Sequence, residues 1–258
     1  TDRFLDADIK GKIALFCNVS EKDVITALDV GNIYEVPLIY HGEGLDDAVV
    51  EYLALPKRPA DMSHWEAMIR KARNPVDTVR IGIVGKYVEY EDSYKSLNEA
   101  LYHGGLAGQL RVELEWVESE GLLDATLDEQ LGSYDGILVP GGFGKRGIDG
   151  MIRAAHYART RKAPYFGICL GMECAVIEYA RNVCGLEADS SEFDPAAPHR
   201  VFYMLRELLG TDIMGGNMRL GAYPCVLDPD SLAFRVYGKK EISERHRHRY
   251  EFNREYEK

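Results

Sequence analysis

What this chain lacks narrows its chemistry before any motif is read. No apolar run approaches the roughly 20 residues that a bilayer-spanning helix needs. The opening Thr1-Asp2-Arg3 carries neither an initiator Met nor an apolar signal segment. Five cysteines, at 17, 169, 174, 184 and 225, form no CxxC pair and no metal-ligand spacing. An odd number suits a reducing compartment better than a disulfide framework. Basic residues are the minority, 31 against 42 acidic, for a net charge of -11. That balance argues against nucleic acid or an anionic membrane as partner and leaves open a local basic pocket for a nucleotide. Internal repeats and low-complexity segments are also missing. A cytoplasmic α/β protein is expected.

The 258 residues are 46% hydrophobic and 28% charged, enough to bury a proper core. Residues 1–40 read as an irregular lead-in with two extended runs, Lys12-Ile13-Ala14-Leu15-Phe16 and Tyr34-Glu35-Val36-Pro37-Leu38. Helices are expected over 44–53 and 61–73, the second starting at an Asp/Ser cap before Trp65. Asn74-Pro75-Val76-Asp77 marks a boundary, because the texture then changes. Val79–Gly85, Arg111–Val117, Gly136–Pro140 and Pro164–Ile168 read as strands, the second half-exposed by its alternation. Between and after them, helices are expected over Asp92–Leu106 (Leu97, Ala100 and Leu101 on one face), 147–161 (Ile148, Met151, Ile152 and Ala155 on one side) and Leu170–Val183. The inner face of the last is read as Met172, Ala175, Val176, Tyr179 and Val183. Apolar strands separated by amphipathic helices predict a mostly parallel sheet with helices on both faces, a flavodoxin-like three-layer α/β fold.

The stretch Gly167-Ile168-Cys169-Leu170-Gly171-Met172 carries the chemistry. A Cys with Gly two residues away on either side, between a buried strand and a helix, has the form of a nucleophile elbow with sulfur in place of oxygen. Side chains at 167 or 171 would collide with neighbouring backbone. The helix N-terminus would favour the Cys169 thiolate, and the Leu170 amide would face an oxyanion. A plain core cysteine is the alternative, and it is the reading for Cys17, Cys174, Cys184 and Cys225. Pro140-Gly141-Gly142-Phe143-Gly144-Lys145-Arg146-Gly147 matches no phosphate-binding spacing, yet after a strand it can offer a second oxyanion amide. His246 and His248 suit one face of a strand, alternating with Arg245, Arg247 and Arg249. They are either bases for the thiol or part of a polar, anion-facing strand.

Leu138–Gly144, Gly167–Met172 and the run Glu244-Arg245-His246-Arg247-His248-Arg249-Tyr250-Glu251 resemble, in order, the signatures of the CTP synthase family and its class I glutamine amidotransferase domain. Ser190-Ser191-Glu192-Phe193, Gly215–Gly221, Gly85-Lys86-Tyr87 and Tyr94-Lys95-Ser96 are similar to further blocks of that family. Residues 1–40 resemble the tail of its synthetase (amidoligase) domain. The resemblance implies linker helices over 41–78, an amidotransferase domain over 79–258, and a part in making CTP from UTP, ATP and glutamine. It implies Cys169 as nucleophile, Gly141 and Leu170 as oxyanion-hole residues, and Gly142, Leu170, Glu173, Glu192 and Arg249 around glutamine. It further implies Lys12 near the pyrimidine nucleotide, Leu28, Asp29 and Val30 near ATP, and Phe143, Arg146 and Gly150 in a lid answering to GTP, the allosteric activator. No cofactor is expected in this chain; ATP and magnesium belong to the full enzyme, a homotetramer in the family.

Four departures accompany the resemblance. The family's triad His and Glu lie past the RHRHRYE run, beyond Lys258, so a truncated piece with little glutamine turnover of its own is expected, and His246 and His248 are not its base. Glu173 stands where Gln is usual, and Asn217 where Thr is usual. The stretch between Glu192 and Gly215 is short for the family. A non-catalytic glutamine-binding module and a generic cysteine hydrolase remain as alternative readings.

Overall fold

A computed structural model describes residues 1–86, 94–204 and 218–257. Gly215, Gly216 and Asn217 of the Gly215–Gly221 block lie outside the described residues. The chain divides into two compact units, Thr1–Thr78 with Ala100–Arg111, and Val79–Glu99 with Val112–Lys258.

In the first unit four helices follow one another: α1 (Ala7–Cys17), α2 (Val36–Gly42), α3 (Leu45–Tyr52) and α4 (Ser63–Arg73). The last two stand where the sequence places them. The first two replace the expected extended runs, and local chemistry explains both. Asp6 caps α1 by accepting the amide of Ile9 at 2.9 Å, and Asn18, at φ 54°, closes its other end in the left-handed region. These end signals override an apolar run whose Leu15 and Phe16 are 78% and 88% exposed. Pro37 stands in the first turn of α2, where its missing N–H costs nothing. Before α4, Asp61 Oδ1 accepts the Ser63 amide at 3.0 Å, the Asp/Ser signal read from the sequence.

The second unit is built on a four-stranded sheet in the order β2–β1–β3–β4, from β1 (Asp77–Gly85), β2 (Leu110–Glu118), β3 (Gly136–Val139) and β4 (Tyr165–Gly167). β1 pairs with β3 and β3 with β4, both parallel, with Val139 opposite Gly167. The expected mixed α/β fold with a parallel sheet and helices is the one observed. Helix α5 (Lys95–Gly108) begins in this unit and belongs to the first from Ala100 on, where it buries Gly105 and Leu106 and leaves Ala100 exposed. A short α6 (Leu127–Leu131) precedes β3. α7 (Ile148–Arg161) buries Ile148, Met151, Ile152 and Ala155, as its spacing predicts.

α8 (Leu170–Asn182) forms as expected but is rotated from the expected face. Leu170, Cys174 and Ile177, at i, i+4 and i+7, point inward, while Met172, Tyr179 and Val183 are 43–53% exposed. Apolar spacing alone favours the other face, because the side that packing turns inward also carries polar residues. Two carboxylates, Glu173 and Glu178, also turn inward. Glu178 ties α8 to α7, bonding Arg159 Nε and Nη2 and His156 Nδ1 at 2.8 Å each, and Asn182 at 3.0 Å. Burial would raise its carboxyl; these partners outweigh that and hold it below the usual range.

Beyond α8, β5 (Ala188–Ser190), β6 (His199–Met204) and, later, β9 (Tyr250–Phe252) make a three-stranded sheet. β7 (Arg219–Val226) and β8 (Glu241–His248) form an antiparallel pair, with helix α9 (Leu232–Tyr237) between them in sequence. The core joins Val84, Leu131, Val139, Met151, Leu170, Ile177, Val201 and Phe202. Among the described residues no helix is long and apolar enough to cross a membrane.

Candidate active site

Because β3 and β4 are adjacent and parallel, the segments leaving their C-terminal ends lie side by side, the usual place for a site in such a sheet. From β3 comes Pro140-Gly141-Gly142; from β4 comes Ile168-Cys169. The turn into α8 is tight. The Ile168 amide donates to Val139 O and the Gly171 amide to Ile168 O, both at 3.0 Å. A Cβ on Gly171 would meet Val139 O at 2.0 Å, and one on Gly167 would meet Gly171 O at 2.5 Å. Both glycines are therefore steric requirements, as the sequence implies.

Cys169 sits at the N-cap of α8 with φ 52° and ψ −108°. A non-glycine residue held there stores strain of order 1–3 kcal/mol, which the surrounding packing must offset. The backbone amides of Leu170 and Gly142 face its sulfur and favour the thiolate. Gly141 approaches differently: a Cβ on it would lie 3.4 Å from Cys169 Cβ. Burial, and then the charge of Glu173, raises the Cys169 thiol above its ordinary range, against the pull of the two amides. This reverses the expectation that the helix N-terminus alone would favour thiolate. The dipole acts on a sulfur that is largely removed from water and faces acids.

Glu173, one turn along, is 5% exposed, and its Oε2 finds no hydrogen-bond partner among the described residues. Burial, then the charge of Glu192, pushes its carboxyl up to about 8, with the Ser190 hydroxyl pulling the other way. Glu192 Oε1 accepts the Gly144 amide at 2.7 Å, which anchors the loop after β3 to the segment after β5.

That loop has a second anchor that sequence reasoning missed. Lys86, 4% exposed at the end of β1, donates to Phe143 O at 3.1 Å and Gly144 O at 2.5 Å. Burial lowers its ammonium below the ordinary lysine range. Its backbone oxygen accepts from Arg146, which also pairs with Glu120 at 3.4 Å. The only signal was a charged residue directly after a buried strand, where it must find acceptors. Phe143 is 56% exposed. Gly150 is buried in the first turn of α7, close against the backbone of Ser119.

Cys169, Leu170, Gly141, Gly142, Glu173 and Glu192 thus come together. Arg249 is exposed between β8 and β9. The two histidines do share one face of β8, with ring centroids 5.2 Å apart, while Arg245 and Arg247 are exposed. His248 Nε2 and Arg219 Nε both engage Glu251 Oε1, at 2.8 and 2.7 Å. Cys174 is fully buried, whereas Cys17, Cys184 and Cys225 are exposed rather than core thiols. In the first unit, Lys12 Nζ pairs with Asp8 at 2.9 Å, and the Asp29 amide donates to Thr1 O at 2.8 Å in the irregular stretch holding Leu28 and Val30. Among the described residues no group of three or more His, Cys, Asp or Glu side chains could hold a metal ion.

The CTP synthase N-terminus family matches residues 1–55. The CTP synthase of Acidobacterium capsulatum is 63% identical over 258 residues, covering 100% of this chain and 47% of the relative. That of Koribacter versatilis is 62% identical over 259 residues, covering 99% and 46%. The chain therefore spans about half the length of the curated relatives it matches. A solved Trypanosoma brucei CTPS glutaminase domain with bound acivicin superposes with a TM-score of 0.63 at 42% identity, covering 69% of each chain. Residues 89–258, which include the Cys169 turn, match the class I glutamine amidotransferase family, and the chain belongs to that family.

Proposed function

We propose that this chain carries the glutamine-hydrolysing half of a CTP synthase. The observation that carries the reading is the Cys169 sulfur on a strained turn with the amides of Leu170 and Gly142 directed at it. Cys169 attacks the carboxamide carbon of glutamine, a glutamyl thioester forms, and ammonia leaves; water then releases glutamate. The amides of Leu170 and Gly141 stabilise the oxyanion of each step, with Gly142 beside them on the glutamine main chain. Glu192 exchanges the Gly144 amide for the substrate ammonium, Arg249 takes the carboxylate, and Glu173 lines the site.

In the longer protein the ammonia aminates UTP to CTP at the expense of ATP, with magnesium. Lys12 faces the pyrimidine nucleotide and Leu28-Asp29-Val30 lie near ATP. GTP activates through Phe143, Arg146 and Gly150. Residues 1–40 are the tail of the synthetase domain, 41–78 the linker and 79–258 the amidotransferase domain of a cytoplasmic homotetramer. Support comes from the sequence blocks, from relatives named CTP synthase, and from the family matches at both ends of the chain.

The test is covalent. A diazo-ketone analogue of glutamine is expected to modify Cys169, glutamine and acivicin to protect it, and Cys169→Ala to abolish labelling. Labelling that persists in that variant, or that glutamine does not slow, rejects the reading.

A further inference from the structure

The Glu173 carboxyl is an odd component for a thiol site. It is buried, one oxygen has no partner among the described residues, and its own helix places it one turn beyond Cys169: the Glu173 amide donates to Cys169 O at 3.1 Å. The groups that face it are acids. Cys169 and Cys174 share its helix, and Glu192 faces it from beyond β5, where Ser190 contributes a neutral hydroxyl. Lys86, a cation at the end of β1, faces Cys174 and Glu192 and gives its hydrogen bonds to the carbonyls of Phe143 and Gly144. Arg181 and Asp189 face Cys174. A second anion in this cluster is expensive because water does not screen it.

We infer that Glu173 is a positioning residue that sets the reactivity of the nucleophile: it carries its proton in the resting site and, on losing it, holds Cys169 in the unreactive thiol form. The inference rests on Cys169 being the nucleophile of the proposed glutaminase. Two acids this close titrate as a coupled pair, so ionisation of one suppresses ionisation of the other. With Glu173 poised to ionise near pH 8, further alkali charges the carboxylate first and delays the thiolate. A neutral side chain at 173 removes that ceiling.

The experiment is alkylation of the 258-residue chain by iodoacetamide, read at Cys169 by peptide mass spectrometry from about pH 6.5 to about pH 9.5, because the thiolate is the reacting form. The ratio of Glu173→Gln to wild-type rates is expected near one at the acid end and to climb to about tenfold at the alkaline end, a displacement of one pKa unit. Glu173→Asp, which keeps a titrating carboxyl, is expected to hold that ratio near one throughout. Should the Gln variant fail to fold, Glu173→Met, neutral and apolar, carries the same expectation. A ratio that stays flat with pH overturns the coupling, because a merely structural change scales all rates alike. Iodoacetamide needs no glutamine pocket, so the two readings fail separately. A flat ratio with analogue labelling intact removes only this inference; a rising ratio without glutamine-sensitive labelling removes only the glutaminase.

Discussion

The two units of this chain hold themselves together by different means. In the second, aliphatic side chains from β1, β3, α7 and α8 close over one another with almost no exposure, Ile83, Val84, Val139 and Ile177 at 0%. In the first, large apolar groups such as Phe4, Leu15, Phe16 and Leu53 are exposed, and few are buried beyond Ala14, Val24, Ile69 and Leu106. Polar ties take over there. Glu43 accepts both Lys10 Nζ at 2.6 Å and the Thr26 amide at 2.8 Å, Asn32 donates to Tyr102 at 2.7 Å, and Trp65 donates to the backbone of Tyr34. A dense apolar core can support a strained catalytic turn, because packing over-determines the backbone there. Directional polar bonds fix a few points and depend on pH.

Truncating the core should show this contrast most strongly. Ile177→Ala is expected to cost about 2–5 kcal/mol in urea unfolding, whereas Phe16→Ala, at an exposed position, should stay within about 0.5 kcal/mol. Equal losses would erase the distinction between the units.

A somewhat smaller effect separates them by pH. Hydrogen bonds from Lys10 and then Thr26 hold the Glu43 carboxyl down at about 2, against an ordinary 4.5. A depressed folded value means that its contribution is present above pH 4.5 and is lost as pH falls towards 2. The stability difference between wild type and Glu43→Gln is therefore expected at about 2–3 kcal/mol near neutrality, shrinking towards zero at the acid end. A difference independent of pH would assign Glu43 a packing role instead.

The smallest expected effect probes the strained turn. Of two variants that both remove the sulfur, Cys169→Gly should be more stable than Cys169→Ala by about 1–2 kcal/mol, since only glycine relaxes at positive φ. Identical melting temperatures would mean that the turn stores no strain.

How much of the molecule can be read from residue order follows the same division. The strands at Val79 and Gly136 are legible because a strand buried on both faces must be continuously apolar, whatever surrounds it, whereas β4, expected to be buried, lies at the sheet edge with Phe166 63% exposed. Gly167 and Gly171 are legible as steric requirements because a Cβ clash with backbone is a local fact. The lead-in is misread because Leu15 and Phe16, exposed on α1, imitate a strand whose fate the capping residues Asp6 and Asn18 decide.

Residue order by itself thus determined the parallel α/β core, the turn that presents Cys169 and the family to which the chain belongs. Tertiary structure alone decided which face of α8 turns inward, that Lys86 anchors the loop after β3, and that the Cys169 thiol is raised rather than lowered. The reason is range. Apolar patterning and backbone sterics act between neighbours in sequence, whereas desolvation and charge coupling depend on groups that only folding brings together, such as Cys169, Glu173 and Glu192.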